Sequence, residues 1–258
     1  MDLGLTGKQV LVTGGSKGIG LATATAFAHE GADVVLVARD AALVAKAAQD
    51  LASKTSQTIT PYTADLSTDA ERERLFAAHP DVDILVNNAG AIPAGDIANV
   101  SMQAWRTGWD LKVFGYIHLC QLYVAAMKAR GAGTIVNIIG MGGRKVSPGY
   151  IAGAAGNAAL IGFTNALGAE TPASDVRVFG INPAPTLTDR IITMSRTRAE
   201  IRFGDPERWK EALDEDGLPF GRLKQPEEVG ALAAMLCAPQ VHYLSGTVID
   251  MDGGAQWA

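Results

Sequence analysis

The strongest constraint on this chain is a regular alternation of short, apolar, β-branched runs with alanine-rich stretches of helical length. Gln9–Thr13, Asp33–Ala38, Thr58–Ala64, Asp83–Asn87, Thr134–Ile139, Val176–Asn182 and Thr247–Asp250 read as strands. Between them, Ile19–His29, Ala41–Lys54, Asp69–Ala78, Met102–Arg130, Ile151–Glu170 and Val229–Cys237 read as helices. The fourth helix is long enough to expect a bend or an interruption. The strands are apolar along nearly their whole length rather than at every second residue, which is what burial on both faces demands. Such alternation predicts an α/β fold: a doubly wound parallel sheet with right-handed crossovers and helices on both faces.

No linker, internal repeat or low-complexity stretch divides the 258 residues, so residues 1–258 read as a single domain. The one irregular region is Thr186–Phe220, rich in charge and broken by Pro206 and Pro219. It follows a strand end, where ligands bind in open α/β sheets. Residues 186–220 therefore read as a substrate lid, the other reading being a solvated packing arm. A lid is consistent with Ile191, Ile192, Met194 and Trp209, which fit an apolar ligand or the body of the protein equally well.

Charge and composition exclude several classes of function. The formal net charge is −5, which argues against nucleic acid or an anionic membrane surface as a partner. No run is long and apolar enough for a membrane span, and the N-terminus shows no apolar targeting segment, so a cytoplasmic protein is expected. The two cysteines, Cys120 and Cys237, sit in apolar surroundings without metal-ligand spacing. They read as buried thiols, and no metal site is expected.

After the first strand comes Thr13-Gly-Gly-Ser-Lys-Gly-Ile-Gly20, then a helix. Glycines allow a tight turn and close approach to a pyrophosphate, and the helix N-terminus adds N–H groups and partial positive charge. This segment resembles the TGxxxGxG motif of the short-chain dehydrogenase/reductase family. Asn87-Asn-Ala-Gly90 is similar to the family's NNAG motif. Pro226-Glu-Glu-Val and Ser245-Gly-Thr…Asp252-Gly-Gly resemble its C-terminal signatures. The resemblance spans essentially the whole chain and implies a Rossmann-like fold, a nicotinamide cofactor, a small-molecule substrate and a homodimer or homotetramer. It assigns the cofactor to Gly14, Ser16, Lys17, Gly18, Ile19 and Gly20 of the cradle. Asp65 and Leu66 border the adenine, Asn88, Ala89 and Gly90 the ribose side, and Pro183 and Thr188 the nicotinamide. Where the family has Pro-Gly, this chain has Pro183-Ala184.

An acidic residue at the end of the second strand would favour NAD(H), but this chain has Ala38 followed by Arg39. Arg39 can fork onto a 2′-phosphate and Lys17 adds a second cation, which favours NADP(H) over NAD(H).

The family's Asn, Ser, Tyr and Lys of catalysis map to Lys112, Gly140, Gly153 and Asn157, so all four positions differ. Lys112 and Asn157 together read as an exchange that keeps one ammonium and one amide, and Asn157 is also a cofactor-contact candidate. Gly140 and Gly153 remove side-chain volume. Tyr150, one turn before Gly153, reads either as a core or interface tyrosine or as a phenol directed at the site. Lys112, Tyr150 and Asn157 are the catalytic candidates, with Ser147 weaker. Asp189 and Arg190 read as helix-terminus charges or as substrate contacts. Three functions follow: an NADP(H)-dependent oxidoreductase acting on a carbonyl or conjugated enone by an atypical mechanism, a non-redox lyase or isomerase, or a non-catalytic NADP-binding regulator.

Overall fold

A computed structural model describes residues 2–213 and 218–257. Seven strands form one parallel sheet: β1 (Gln9–Thr13), β2 (Asp33–Ala38), β3 (Ile59–Thr63), β4 (Ile84–Asn87), β5 (Gly133–Ile138), β6 (Val176–Pro183) and β7 (Thr247–Met251). Their order is β3-β2-β1-β4-β5-β6-β7, so the winding reverses between β1 and β4. The helices are α1 (Gly18–His29), α2 (Ala41–Ala52), α3 (Asp69–Ala78), α4 (Met102–Trp109), α5 (Gly115–Arg130), α6 (Ile151–Glu170), α7 (Asp189–Phe203) and α8 (Pro226–Cys237).

Two cores account for the all-apolar strands. Val10, Val12, Val34, Leu36, Val86 and Phe179 pack with α1, α2 and α8 on one face. Their neighbours in the same strands, Leu11, Val35, Val37, Leu85 and Val178, pack with α3 and α5 on the other. With period-2 side chains and a hydrophobic layer on each side, both faces of a central strand favour apolar residues. Cys120 and Cys237 are both buried free thiols, and burial pushes each up to about 12.

One expectation is met, the interruption of the long fourth helix, and one is corrected. The long fourth helix is α4 and α5 joined by a five-residue π-helical turn, Asp110–Phe114. A π turn leaves a backbone carbonyl short of its usual partner. Here the buried guanidinium of Arg72 donates to the Asp110 carbonyl at 3.2 Å and to the Leu66 carbonyl at 2.5 Å. The correction concerns the stretch 186–220, which is not irregular throughout. Thr188 caps α7 by accepting from the Ile191 N–H, and the helix ends at Gly204 in the left-handed region, φ +69°. Only Ser195 and Ala199 of α7 are buried, so the apolar periodicity that marks a helix is weak there. Residues 206–213 are 3₁₀-helical, and residues 214–217 of the expected lid lie outside the described residues. Among the described residues, no helix is long and apolar enough to cross a membrane.

Candidate active site

A cleft of about 1310 Å³ opens at the C-terminal ends of the strands, over the β1/β4 reversal. That is the expected ligand position in a doubly wound sheet, where chains diverge to opposite sides and leave a crevice. Its volume exceeds the roughly 300–1,000 Å³ of a drug-sized ligand site.

The floor is knitted from the first and fourth strand ends. Thr13 Oγ1 accepts from the N–H groups of Asn88 and Ala89 at 2.9 and 3.1 Å. Asn88 Nδ2 donates back to the carbonyls of Thr13 and Gly14 at 3.0 and 3.2 Å. The turn is closed so tightly that a Cβ on Gly20 would stand 2.1 Å from the Gly14 carbonyl oxygen. Gly18, at φ +57°, faces the methyl of Thr188 across the cradle. Lys17 is the N-cap of α1 and offers no side-chain oxygen to its first turn, so those N–H groups stay available to an anion.

Arg39, just after β2, is exposed and lines the cleft. The carboxylate beside it, Asp40, caps α2, accepting from the Leu43 N–H at 2.9 Å. Among the described residues, Lys17 makes only a long, exposed pair with Asp189 at 3.9 Å. Asp65 accepts from the N–H and hydroxyl of Ser67 at 3.1 and 2.8 Å, and Leu66 closes the floor beside it.

At the other end, three consecutive carbonyls leave β5 and each takes a side-chain donor. Tyr116 Oη donates to Ile138 at 2.9 Å, Lys112 Nζ to Ile139 at 2.6 Å and Asn157 Nδ2 to Gly140 at 3.4 Å. Gly140 has φ +124°, a conformation that L side chains rarely adopt, and its N–H donates to Asn182 Oδ1 at 3.3 Å. Asn182 in turn donates to Asp250 at 2.7 Å. Asn157 is 2% exposed, and its carboxamide oxygen has no partner. It is therefore a buried acceptor at the cleft wall waiting for an N–H or O–H donor.

Lys112 is walled in by protein yet keeps part of its surface open to the cleft. Its stem lies on Gly90, where a Cβ would stand 2.9 Å from Cδ. No carboxylate lies within 4 Å of its ammonium among the described residues. Burial first, and the like charge of Arg190 second, push Lys112 down to about 7. Arg190 Nη2 donates to the Ile92 carbonyl at 2.8 Å.

Tyr150 is the N-cap of α6, and its ring lies flat against Gly153: a Cβ there would stand 1.9 Å from Cζ. A Cβ on Gly142 would stand 3.2 Å from the same ring and 3.3 Å from Asn157 Nδ2. The ring, the amide and Lys112 thus share one end of the cleft.

The cleft is lined by Gly14, Ser16, Lys17, Gly18, Ile19, Arg39, Asp65, Leu66, Asn88, Ala89, Gly90, Pro183 and Thr188, together with Lys112, Tyr150, Asn157 and the weaker candidate Ser147. Gly20 does not line it; it supports the cradle from behind, because its missing Cβ is what lets α1 meet Gly14. Sequence reasoning did not single out Met141, Gly142 or Arg198. The last was legible, since Ile191, Met194 and Arg198 follow i, i+3, i+7 spacing along the cleft face of α7.

Comparison with known proteins agrees with this fold. The chain is 32% identical to the 3-oxoacyl-[acyl-carrier-protein] reductase FabG of Chlamydia muridarum (strain MoPn / Nigg), over 97% of this chain and 98% of that one. It is 35% identical to the galactitol 2-dehydrogenase (L-tagatose-forming) of Cereibacter sphaeroides, over 97% and 95%. The L-sorbose reductase of Gluconobacter frateurii, solved with NADPH and L-sorbose, superposes with a TM-score of 0.91 at 31% identity, covering 99% of this chain and 98% of that one. The family described as short chain dehydrogenase matches residues 8–199. With a seven-stranded Rossmann-like sheet, a glycine cradle at its reversal point and whole-length relatives that are oxidoreductases, the chain belongs to the short-chain dehydrogenase family.

Proposed function

We propose that this protein is an NADP(H)-dependent oxidoreductase that reduces a carbonyl or conjugated enone with a rearranged set of acids. The observation that carries the reading is the meeting of Lys112, Asn157 and Tyr150 at the end of β5, inside the cleft that holds the glycine cradle.

The residues present fit a dinucleotide. The cradle would take the pyrophosphate, Arg39 and Lys17 a 2′-phosphate, and the orphaned oxygen of Asn157 a ribose hydroxyl. The NADPH found in the related L-sorbose reductase supports the phosphorylated cofactor. When bound, the nicotinamide supplies or accepts hydride, chemistry that belongs to the cofactor. The chain's own groups orient the substrate and move the proton. Lys112 holds a proton at Nζ and hands it to an oxygen that gains negative charge in the cleft. The Tyr150 phenol replaces the acid that a side chain at 153 would have provided, approaching from one turn earlier in the chain. The left-handed backbone of Gly140 leaves the wall open where a hydroxyl would otherwise stand.

Substrate entry is governed by 186–220, which we read as the lid, with Ile191 and Met194 of α7 facing the cleft. The outward face of α6, with Ala155, Ala158, Ala159 and Gly162 exposed, suits close approach of a second copy. Gel filtration is expected to give a homodimer or homotetramer.

The test is NADPH absorbance over a panel of ketones and enones. Lys112→Met is expected to lower kcat/KM by roughly 10²–10⁴-fold while NADPH still binds. Wild-type turnover in both Lys112→Met and Tyr150→Phe would overturn the reading.

A further inference from the structure

Lys112 has a second capacity that hydride chemistry does not use. A buried ammonium ordinarily finds a carboxylate. Among the described residues Lys112 has none within 4 Å, and its nearest charged influence is the like-charged Arg190. Its single hydrogen bond, to the Ile139 carbonyl at 2.6 Å, needs only one N–H. A neutral amine makes that bond and keeps its lone pair free. The stem is pinned along Gly90, so the nitrogen is held in the wall rather than swinging in solvent. The π turn at 110–114 sets this one residue in that wall, and π turns recur at functional sites. The cleft in front of it is open and carries a phenol, Tyr150, at the same end.

We propose that Lys112 is a carbonyl-capturing nucleophile, whose neutral amine forms an imine with a ketone or aldehyde in the cleft and so gives the protein a non-redox activity. The nitrogen lone pair attacks the carbonyl carbon and the C=O π electrons move to oxygen, giving a carbinolamine. The Tyr150 phenol protonates the departing hydroxyl, water leaves, and a C=N⁺ bond remains. The iminium acidifies the adjacent C–H, whose proton passes to water and returns from it. Hydrolysis then restores the amine and the ketone, with no net oxidation.

Desolvation beside a second cation is the known way to make a lysine nucleophilic at neutral pH. An ordinary lysine, with a pKa of about 10.4, is neutral in roughly one molecule in 10³ at pH 7. Lys112, at about 7, is neutral in about half. Labelling at Lys112 should therefore exceed that at any surface lysine by on the order of 10²-fold.

The inference rests on the same placement of Lys112 as the proposed reductase, but not on hydride transfer. The NADP⁺-saturated protein is incubated with acetone, butanone or cyclohexanone and with sodium cyanoborohydride, then mapped by peptide mass spectrometry. One adduct is expected at Lys112, heavier by the ketone less one oxygen atom, absent from Lys112→Arg, with a yield that rises as pH passes about 7. In parallel, NMR in D₂O without reductant should show deuterium entering the ketone beside its carbonyl, in wild type and not in Lys112→Met. Labelling confined to surface lysines such as Lys8 and Lys145, or deuterium uptake unchanged in Lys112→Met, overturns the proposal. NADPH oxidation without an adduct leaves the reductase standing and removes the imine. An adduct without NADPH oxidation does the reverse.

Discussion

Replacing Gly153 by alanine sets two effects against each other, and the structure says which one wins. Alanine is favoured over glycine in a helix interior by about 1 kcal/mol. Against that, the new Cβ would stand 1.9 Å from Cζ of Tyr150. Carbon atoms rest at about 3.5–4.0 Å, so the ring must retreat by roughly 2 Å. The ring must move off position 153, and the phenol it carries is displaced with it. Overpacking of this kind costs about 1–3 kcal/mol. The net change in wild type is then a destabilisation of about 0–2 kcal/mol. In a Tyr150→Ala background the obstacle is gone, and Gly153→Ala should stabilise by about 0.5–1 kcal/mol. Urea unfolding of the four variants reads this directly as a double-mutant cycle with a coupling of about 1–3 kcal/mol. Reductase activity of Gly153→Ala should fall to that of Tyr150→Phe, since both take the phenol from the cleft. Equal stabilisation by Gly153→Ala in both backgrounds would refute the packing of Tyr150 on Gly153 and with it the relocated phenol.

Three further outcomes are expected. Gly140→Ser, although it restores the residue type usual in the family, should destabilise by about 1–3 kcal/mol because φ is +124° there; an unchanged melting temperature would contradict this. Arg39→Asp should weaken NADPH binding by about 10–100-fold in calorimetry and leave NADH little changed, since hydrogen bonds between charged groups contribute about 1.5–3 kcal/mol; an unaltered preference would sink the NADP(H) assignment. Lys112 titrates at about 7 in the folded protein against 10.5 in the unfolded chain, so between those values only the unfolded chain takes up the proton. Wild-type stability relative to Lys112→Met should be lowest below about pH 7 and rise toward pH 10.5, measured by unfolding across that range; a flat difference would show that the ammonium is not desolvated.

Much of this molecule was legible before any coordinates. Period-2 strands buried on both faces give the parallel sheet, and the glycine cradle marks the end of β1 because only glycine fits the turn at Gly14–Gly20. Arg39 could be placed because it immediately follows a strand. What escaped was set by tertiary packing. Helix α7 buries only two residues, so its apolar pattern is weak and most of its length reads as irregular. Gly20 carries the family's motif, and its missing Cβ lets backbone meet backbone behind the cradle. The union of Lys112 with the Ile139 carbonyl joins residues 27 positions apart, and the absence of a carboxylate near it among the described residues has no local signature at all. Tyr150 lay between two readings, core residue or site residue, and its place on Gly153 comes from the bend of the chain into α6, not from spacing alone.

The π turn between α4 and α5 also fixes how this protein can change. It holds roughly one residue more than an α-helix of the same rise, and one residue is about 100° of rotation. Lys112 faces the cleft from within that turn, while Tyr116 and Tyr123, after it, are buried in the core. Deleting Asp110, Leu111, Val113 or Phe114 would let the segment relax to an unbroken α-helix and turn its flanks against each other, leaving either the lysine or the core tyrosines misdirected. Length within those five positions is therefore as strictly set as the identity of the residue they carry.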